Sequence, residues 1–352
     1  MPHTNQYFMS ESTANDFDLE NTRKELPERF QEIFKDAGDP KTITAKFKCQ
    51  QCGARCCSKD FIKNDVIFLP NTLAYYRQKR GNVAADLAMA DLSPSVGPTS
   101  KMPLYYTEAD FCPFMLFKFN KEKMNDIRAG LSEALNQVED GMAKIVISMM
   151  PSILDKMVAE DKFEFTPNEL RMFNGDGFGM MISMAFMEFL KDYGIKAICD
   201  VYEERPGACK TFPFGRLHVT DKKSGVIKEL AVLQKDLPCP PEAFETDEEI
   251  TAHDFFKSQG VTNAEDHEWG NLVLAFADAN EDYLANNAVI RGYFYGTLFE
   301  MLYKKIKYNP DRKTFIEKLT ETVIAVIDLT EEVMHLHNHT LATMDGCGNG
   351  FE

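Results

Sequence analysis

The chain holds 352 residues, with 39 Lys+Arg against 55 Asp+Glu and a formal net charge of −16. So large an excess of acid argues against nucleic-acid binding and against adhesion to an anionic membrane, because both need basic surface. A hydrophobic fraction of 44% and a charged fraction of 27% are those of an ordinary globular chain with a buried core.

The stretch Met1–Asn21 is polar and without an apolar run. The most apolar segment, Gly179–Leu190, contains Glu188 and falls short of the roughly 20 residues a membrane span requires. These readings predict a cytoplasmic protein with no nucleic-acid or membrane partner.

In chain order, residues 1–22 read as a disordered tail, since no apolar period runs through them. Arg23–Ala37 reads as a short helix with Phe30, Ile33 and Phe34 on one side, stopped at Gly38-Asp39-Pro40. Ile43–Lys48 alternates and reads as a strand, and Cys49–Lys59 as a loop. Leu73–Gly81 and Val83–Leu92 read as helices, Ser93–Pro103 as a surface loop and Leu104–Thr107 as a strand.

Met124, Ile127, Leu131, Leu135, Val138, Met142, Ile145 and Met149 recur at steps of three and four, which predicts one long amphipathic helix ending near Pro151. A second helix is expected over Pro151–Glu160, with proline in its first turn, and a third over Met180–Tyr193. Ile195–Ile198 reads as a strand, and Gly207–Thr220 with Gly225–Gln234 as a loop and hairpin. Helices then follow over Asp247–Gln259, over Glu265–Lys307 with at least one break, and over Asp311–His335, before a Gly-rich tail.

The expected fold is mainly α, with a small irregular cysteine-rich module and a few short strands (α+β). Its divisions would be a tail at 1–22, a cysteine module at 23–115 and 195–242, a helical insertion at 116–194, a helical C-terminal region at 243–344 and a flexible tail at 345–352.

The nine cysteines carry the chemistry. Four lie within nine residues as Cys49-x2-Cys52-x3-Cys56-Cys57. Cys112 follows, within Cys112-Pro113-Phe114. Then come Cys199 and Cys209, ten residues apart and ahead of Phe212-Pro213-Phe214, and last Cys239 between Pro238 and Pro240. A Cys-x2-Cys pair lets one tight loop aim two thiolates at one ion while its amides bond the sulfurs. Gly53 suits the sharp turn behind that pair. Soft thiolates select zinc, copper(I) or iron–sulfur centres over magnesium or calcium. Adjacent Cys56 and Cys57 do not both fit one metal atom, so they serve two sites or one of them is a spectator. Any cysteine taken alone could instead be a buried core residue. Four thiols in one short loop serve packing poorly, and Cys347, in the Gly-rich tail, stands apart.

This order of blocks, Cys-x2-Cys-Gly-x2-Cys-Cys, then Cys-Pro-Phe, then Cys-x2-Tyr-Glu-x-Arg-Pro-x2-Cys-x2-Phe-Pro-Phe, resembles the YkgJ-type cysteine-cluster family, whose domain is regarded as chelating zinc or iron. The resemblance covers about Phe47 to Pro240. It implies a metal-ligand set of Cys49, Cys52, Cys56, Cys57, Cys112, Cys199 and Cys209, with Cys239 as the late cysteine. Tyr202, Arg205 and Pro206 match the family's Tyr-x2-Arg-Pro signature, and Tyr202 and Arg205 are expected around the ligands. In the family the Cys-Pro-Phe and Tyr-x2-Arg-Pro blocks lie close together. Here Pro113–Ile198 separates them and reads as a helical insertion.

One knuckle with single scattered cysteines fits an iron–sulfur cluster, of 4Fe-4S type, better than a four-Cys zinc site, which favours two knuckles; zinc remains the alternative. Arg205 could donate to the sulfurs, or could form a surface bridge with Glu203 or Glu204. Tyr202 and Phe212-Pro213-Phe214 are expected to form an apolar shell. The function read here is a metal-binding cysteine-cluster protein with a redox or cluster-dependent role. Two alternatives stand beside it. One is a protein-modifying enzyme, since flagellin lysine methylases resemble the broad cysteine layout. The other is a structural zinc protein with a protein partner.

Three further signals read as structural. Asn174–Gly179 is a lone glycine stretch with no strand before it. Met180, Met181, Met184 and Met187 form a core stripe. His335 and His339 are one helical turn apart, close enough to chelate, yet histidines near a helix C-terminus also complement its dipole.

Overall fold

The computed structural model describes residues 31, 35–49, 56, 66–81, 92–95, 102–107, 112–139, 141–169, 191–220, 227–235, 237, 239–261 and 268–348. Among them the chain is mostly helical, with four small antiparallel sheets and a long C-terminal helix. Among the described residues, no helix is long and apolar enough to cross a membrane.

Among the described residues, two larger cores stand out. The larger gathers α1 (Pro70–Arg80), β5 (Met115–Phe119), α2 (Met124–Gln137), α3 (Gly141–Glu160) and β7 (Ile195–Cys199). It also takes in α6 (Glu268–Ala279), α8 (Ala288–Phe299), a π-helical turn at Glu300–Lys305 and α9 (Arg312–Gly348). Trp269, Tyr76, Phe114, Phe117, Phe165 and Phe294 are fully enclosed there. The smaller core surrounds Phe47, Phe214, Phe255 and Phe256. It is built from β1 (Thr44–Lys46), the hairpin β8 (Phe214–Thr220) and β9 (Ile227–Leu233), β10 (Glu249–Thr251) and α5 (Ala252–Ser258). The short helix α4 (Gly207–Thr211) runs between them, and α7 (Glu281–Asn286) links α6 to α8.

The sheet that matters most to the cysteines is β6-β5-β7, with β6 at Glu164–Phe165. β5 and β7 pair antiparallel from Met115↔Cys199 to Phe119↔Ile195. The chain therefore leaves along β5, makes α2, α3 and β6, and returns along β7 to its starting point. Asn120 N–H donating to the Gly194 carbonyl at 2.8 Å closes the base of the excursion. Gly194 sits at φ 107, a backbone that L side chains rarely adopt, and a Cβ there would also meet Lys123.

Several expectations need correction. The single helix over Met124–Met149 is two, because Val138 turns to extended backbone (φ −79, ψ 125) and Glu139 follows before Gly141 restarts the helix. That break resets the helical phase. Met124, Ile127 and Leu131 are buried as the stripe requires, but Ile145 and Met149 are 55% and 47% exposed, and Ile147, Met150, Ile153 and Leu154 are buried in their place. Pro151 lies inside α3 and starts no second helix.

At the start of the loop expected over Ser93–Pro103 lies β3 (Leu92–Ser95), with β2 (Val66–Phe68) and β4 (Leu104–Thr107) completing the sheet. β3 is an edge strand, the place in a sheet where a proline such as Pro94 is tolerated. Asp247–Gln259 divides into strand and helix, since Glu249–Thr251 pairs with β1 and Thr251 caps α5 by accepting from Asp254 N–H at 3.0 Å. Asn280 and Asn287 stand at the breaks after α6 and α7, and Asn287 caps α8 by accepting from Ile290 N–H at 3.1 Å. α9 continues past His335 to Gly348, through the start of the expected Gly-rich tail. The helices expected over Arg23–Ala37, Val83–Leu92 and Met180–Tyr193 fall wholly or mostly outside the described residues.

Candidate metal centre

The antiparallel ladder brings together two blocks that lie far apart in sequence. Cys112 is buried in the turn entering β5, and its carbonyl accepts from Met115 N–H at 3.3 Å. Met115 is the register partner of Cys199, and Asp200 N–H donates to Phe114 O at 2.8 Å. The Cys-Pro-Phe block and the Cys199 block are thus neighbours across one strand pair.

From Cys199 the chain runs through a 3-10 turn at Tyr202–Glu204 and the Arg205-Pro206 corner into α4, which carries Cys209. α1 holds this loop through residues one turn apart. Asn71 donates to Glu204 at 2.9 Å and Tyr75 to Glu203 at 3.0 Å, while Lys79 and Arg80 both reach Asp200. Tyr308 also donates to Glu204, at 3.0 Å, and Lys210 stands 3.3 Å from it. Burial opposes ionisation of Asp200, but hydrogen bonds from Arg80 and Lys79, with their charges, outweigh it and hold the carboxyl below its usual range.

Cys49 and Cys239 lie toward the smaller core. Phe47, two residues before exposed Cys49, packs on Phe212, Phe244 and Phe255 at ring distances of 6.2, 5.6 and 6.0 Å. Lys48 N–H donates to Ala243 O at 2.8 Å. Half-buried Cys239 and Phe212 pack against that same core. The peptide between Phe212 and Pro213 is cis. Among the described residues, Cys239 packs on the smaller core and Cys112 and Cys199 on the larger, on either side of the junction that α4 crosses.

Cys56, Cys199 and Cys209 are within electrostatic reach of one another and of Arg205. Burial pushes the Cys199 thiol up to about 11, against a hydrogen bond from Val201 N–H; the charge of Cys56 adds to the rise and Arg205 opposes it. Burial pushes Cys209 up as well, with Cys56 and Cys199 adding and Arg205 opposing. As free thiols these groups stay protonated at neutral pH and are poor nucleophiles, whereas a bound metal deprotonates its thiol ligands outright.

Arg205 is neither the surface bridge to Glu203 or Glu204 nor exposed. It is 8% exposed, and both glutamates are engaged elsewhere. Its guanidinium carbon sits 4.2 Å from the centroid of the Tyr202 ring, and one terminal nitrogen donates to Gln259 Oε1 at 2.5 Å. Its Nε is buried with no hydrogen-bond partner. Tyr202 is itself 36% exposed, so it covers the arginine and does not form the closed apolar shell expected of it.

Soft thiol donors beside a buried cation with a spare N–H fit an anionic metal–thiolate group. Among the described residues, however, no three His, Cys, Asp or Glu side chains stand in metal-holding geometry. Cys52 and Cys57 lie outside them, as do Asn174–Gly179 and the methionines at 180, 181, 184 and 187. His335 and His339 are exposed on α9. Cys347 falls on the last turn of that helix.

Sequence reasoning missed Gln259, Asp200 and the α1 residues. The spacing of Asn71, Tyr75 and Lys79 by fours was a legible sign of one polar helix face, but nothing in it named the facing loop. No family model matches the chain, and the comparisons with curated proteins and with solved structures found no match.

Proposed function

We propose that this chain binds a metal centre through cysteine thiolates, an iron–sulfur cluster in the first instance, and serves a redox or cluster-dependent role. The carrying observation is convergence. The β5–β7 register sets Cys112 of the second block next to Cys199 of the third, and Cys56 of the first block acts electrostatically on Cys199 and Cys209, as does the buried Arg205 guanidinium. The YkgJ-like order of the motifs supports the same reading. Cys52 and Cys57 would complete the knuckle, and Cys49 and Cys239 are the remaining thiols of the proposed set. A resident metal would stabilise loops that carry little core of their own.

A cluster-dependent protein-modifying enzyme is the second reading, and one feature favours it. A groove of about 400 Å³ runs between the Lys307–Pro310 turn and the first turns of α9. A smaller cavity beside it is lined by Asn71, Tyr308 and Glu204, the last from the cysteine loop itself. The deciding experiment is anaerobic purification with an absorption spectrum and quantified iron, zinc and acid-labile sulfide. Iron and sulfide in equal amounts support a cluster. Zinc without sulfide makes the site structural. Neither metal, with all thiols titratable, overturns the proposal.

A further inference from the structure

A buried guanidinium has five N–H donors to place. Arg205 places one on Gln259 and lays its plane against Tyr202, while Nε, enclosed and unpartnered, faces no carboxylate among the described residues. An unmatched buried donor destabilises a fold, so a fold that retains one gains by supplying an acceptor. Arg205 lies among the nine residues between Cys199 and Cys209, within electrostatic reach of both sulfurs.

Gln259 is built to hold it. The residue ends α5, where its N–H donates to Phe255 O at 3.0 Å and to Phe256 O at 3.1 Å. Its side-chain nitrogen donates to Ser258 Oγ at 3.3 Å, which leaves Oε1 free to receive Arg205. The support therefore comes from the smaller core, across the junction and beyond the last cysteine of the motif.

We propose that Arg205 is the hydrogen-bond donor to a metal-bound sulfur, through Nε, and that Gln259 is the positioning residue that aims it. The inference rests on the metal-binding reading. It adds that the centre is completed from outside the cysteine motif, by a residue of the C-terminal region. Arg205 then offsets part of the negative charge of the thiolates, and its orientation decides how firmly the metal is retained.

The test measures metal release from the full-length chain, purified anaerobically, into excess chelator, with the visible spectrum recorded alongside. Arg205→Lys keeps the charge but loses both Nε–H and the planar fork. It should release metal about 10- to 100-fold faster, the usual effect of losing a support around a metal ligand. Gln259→Leu, which keeps the volume and loses the acceptor, should release about tenfold faster, and Gln259→Glu should restore retention. The melting temperature of the metal-free forms separates this from a purely structural role, which would lower it and leave release unchanged. Metal in the parent with unaltered release in Gln259→Leu and Arg205→Lys overturns this inference alone. A parent without metal overturns the metal-binding reading first. Should Arg205→Lys fail to fold, the Gln259 pair decides.

Discussion

Replacing Asp200 with alanine tests the anchor that fixes the Cys199 end of the cysteine loop. Asp200 is 2% exposed and receives Arg80 Nε at 2.5 Å and Lys79 Nζ at 2.7 Å. A charge-assisted hydrogen bond is worth about 1.5–3 kcal/mol. Arg80 is 24% exposed and loses most of that when the carboxylate goes. Lys79 is 40% exposed, water re-solvates it, and its share falls to about 0–1 kcal/mol. Asp200→Ala should therefore destabilise the chain by about 2–3 kcal/mol, lowering a urea midpoint by about 1 M for a slope near 3 kcal/mol per molar. The pH dependence has a definite sign. The folded carboxyl is held below its unfolded value of about 3.9, so its contribution is fully present above that value and is lost as pH falls through the folded pKa. The gap between parent and variant should stay level from about pH 5 to 8 and close below about pH 4. Urea titrations across that range read it directly. A gap under about 0.5 kcal/mol at neutral pH, or one that widens on acidification, refutes the reasoning.

Three other outcomes are expected. Cys209→Ser should lose bound metal and lower the melting temperature of the anaerobically purified chain, whereas Cys347→Ser should change neither; equal metal content in both variants would remove Cys209 from the ligand set. Gly130→Ala should cost about 1–3 kcal/mol, because a Cβ there would lie 2.5–2.7 Å from carbons of the Tyr193 ring, and adding Tyr193→Ala should recover part of that loss in the denaturation midpoint. Pro151→Ala should raise stability by about 1–3 kcal/mol, since it removes a proline from the exposed interior of α3 and returns the missing N–H; a lower midpoint would show that the helix is shaped around the proline.

Sequence periodicity carried the helical character of the fold because it depends on local spacing. Ile127 and Leu131 are enclosed where the stripe placed them. It failed at Ile145 and Met149, because the extended backbone at Val138 is enough to rotate the following helix while keeping the apolar count. β3 was hidden by Pro94, which reads as a loop until the strand is known to be an edge. At the candidate site the cysteine blocks were legible because thiols crowd at spacings that packing does not explain. The support was not legible. Gln259 is an ordinary polar residue at a helix end, and Asp200 is one acid among many. Only the meeting of α1, α5 and the cysteine loop gives either a role.

The β5–β7 ladder also sets an order of events during folding. Its register pairs join residues at opposite ends of the whole excursion, so its contact order is high, and long-range contacts of this kind form slowly. α2 and α3 pack through nearer neighbours and can form first. Cys112 and Cys199 therefore become neighbours only after the intervening helices have drawn the two strands together. Any metal that needs both thiols is then captured only once that ladder has closed.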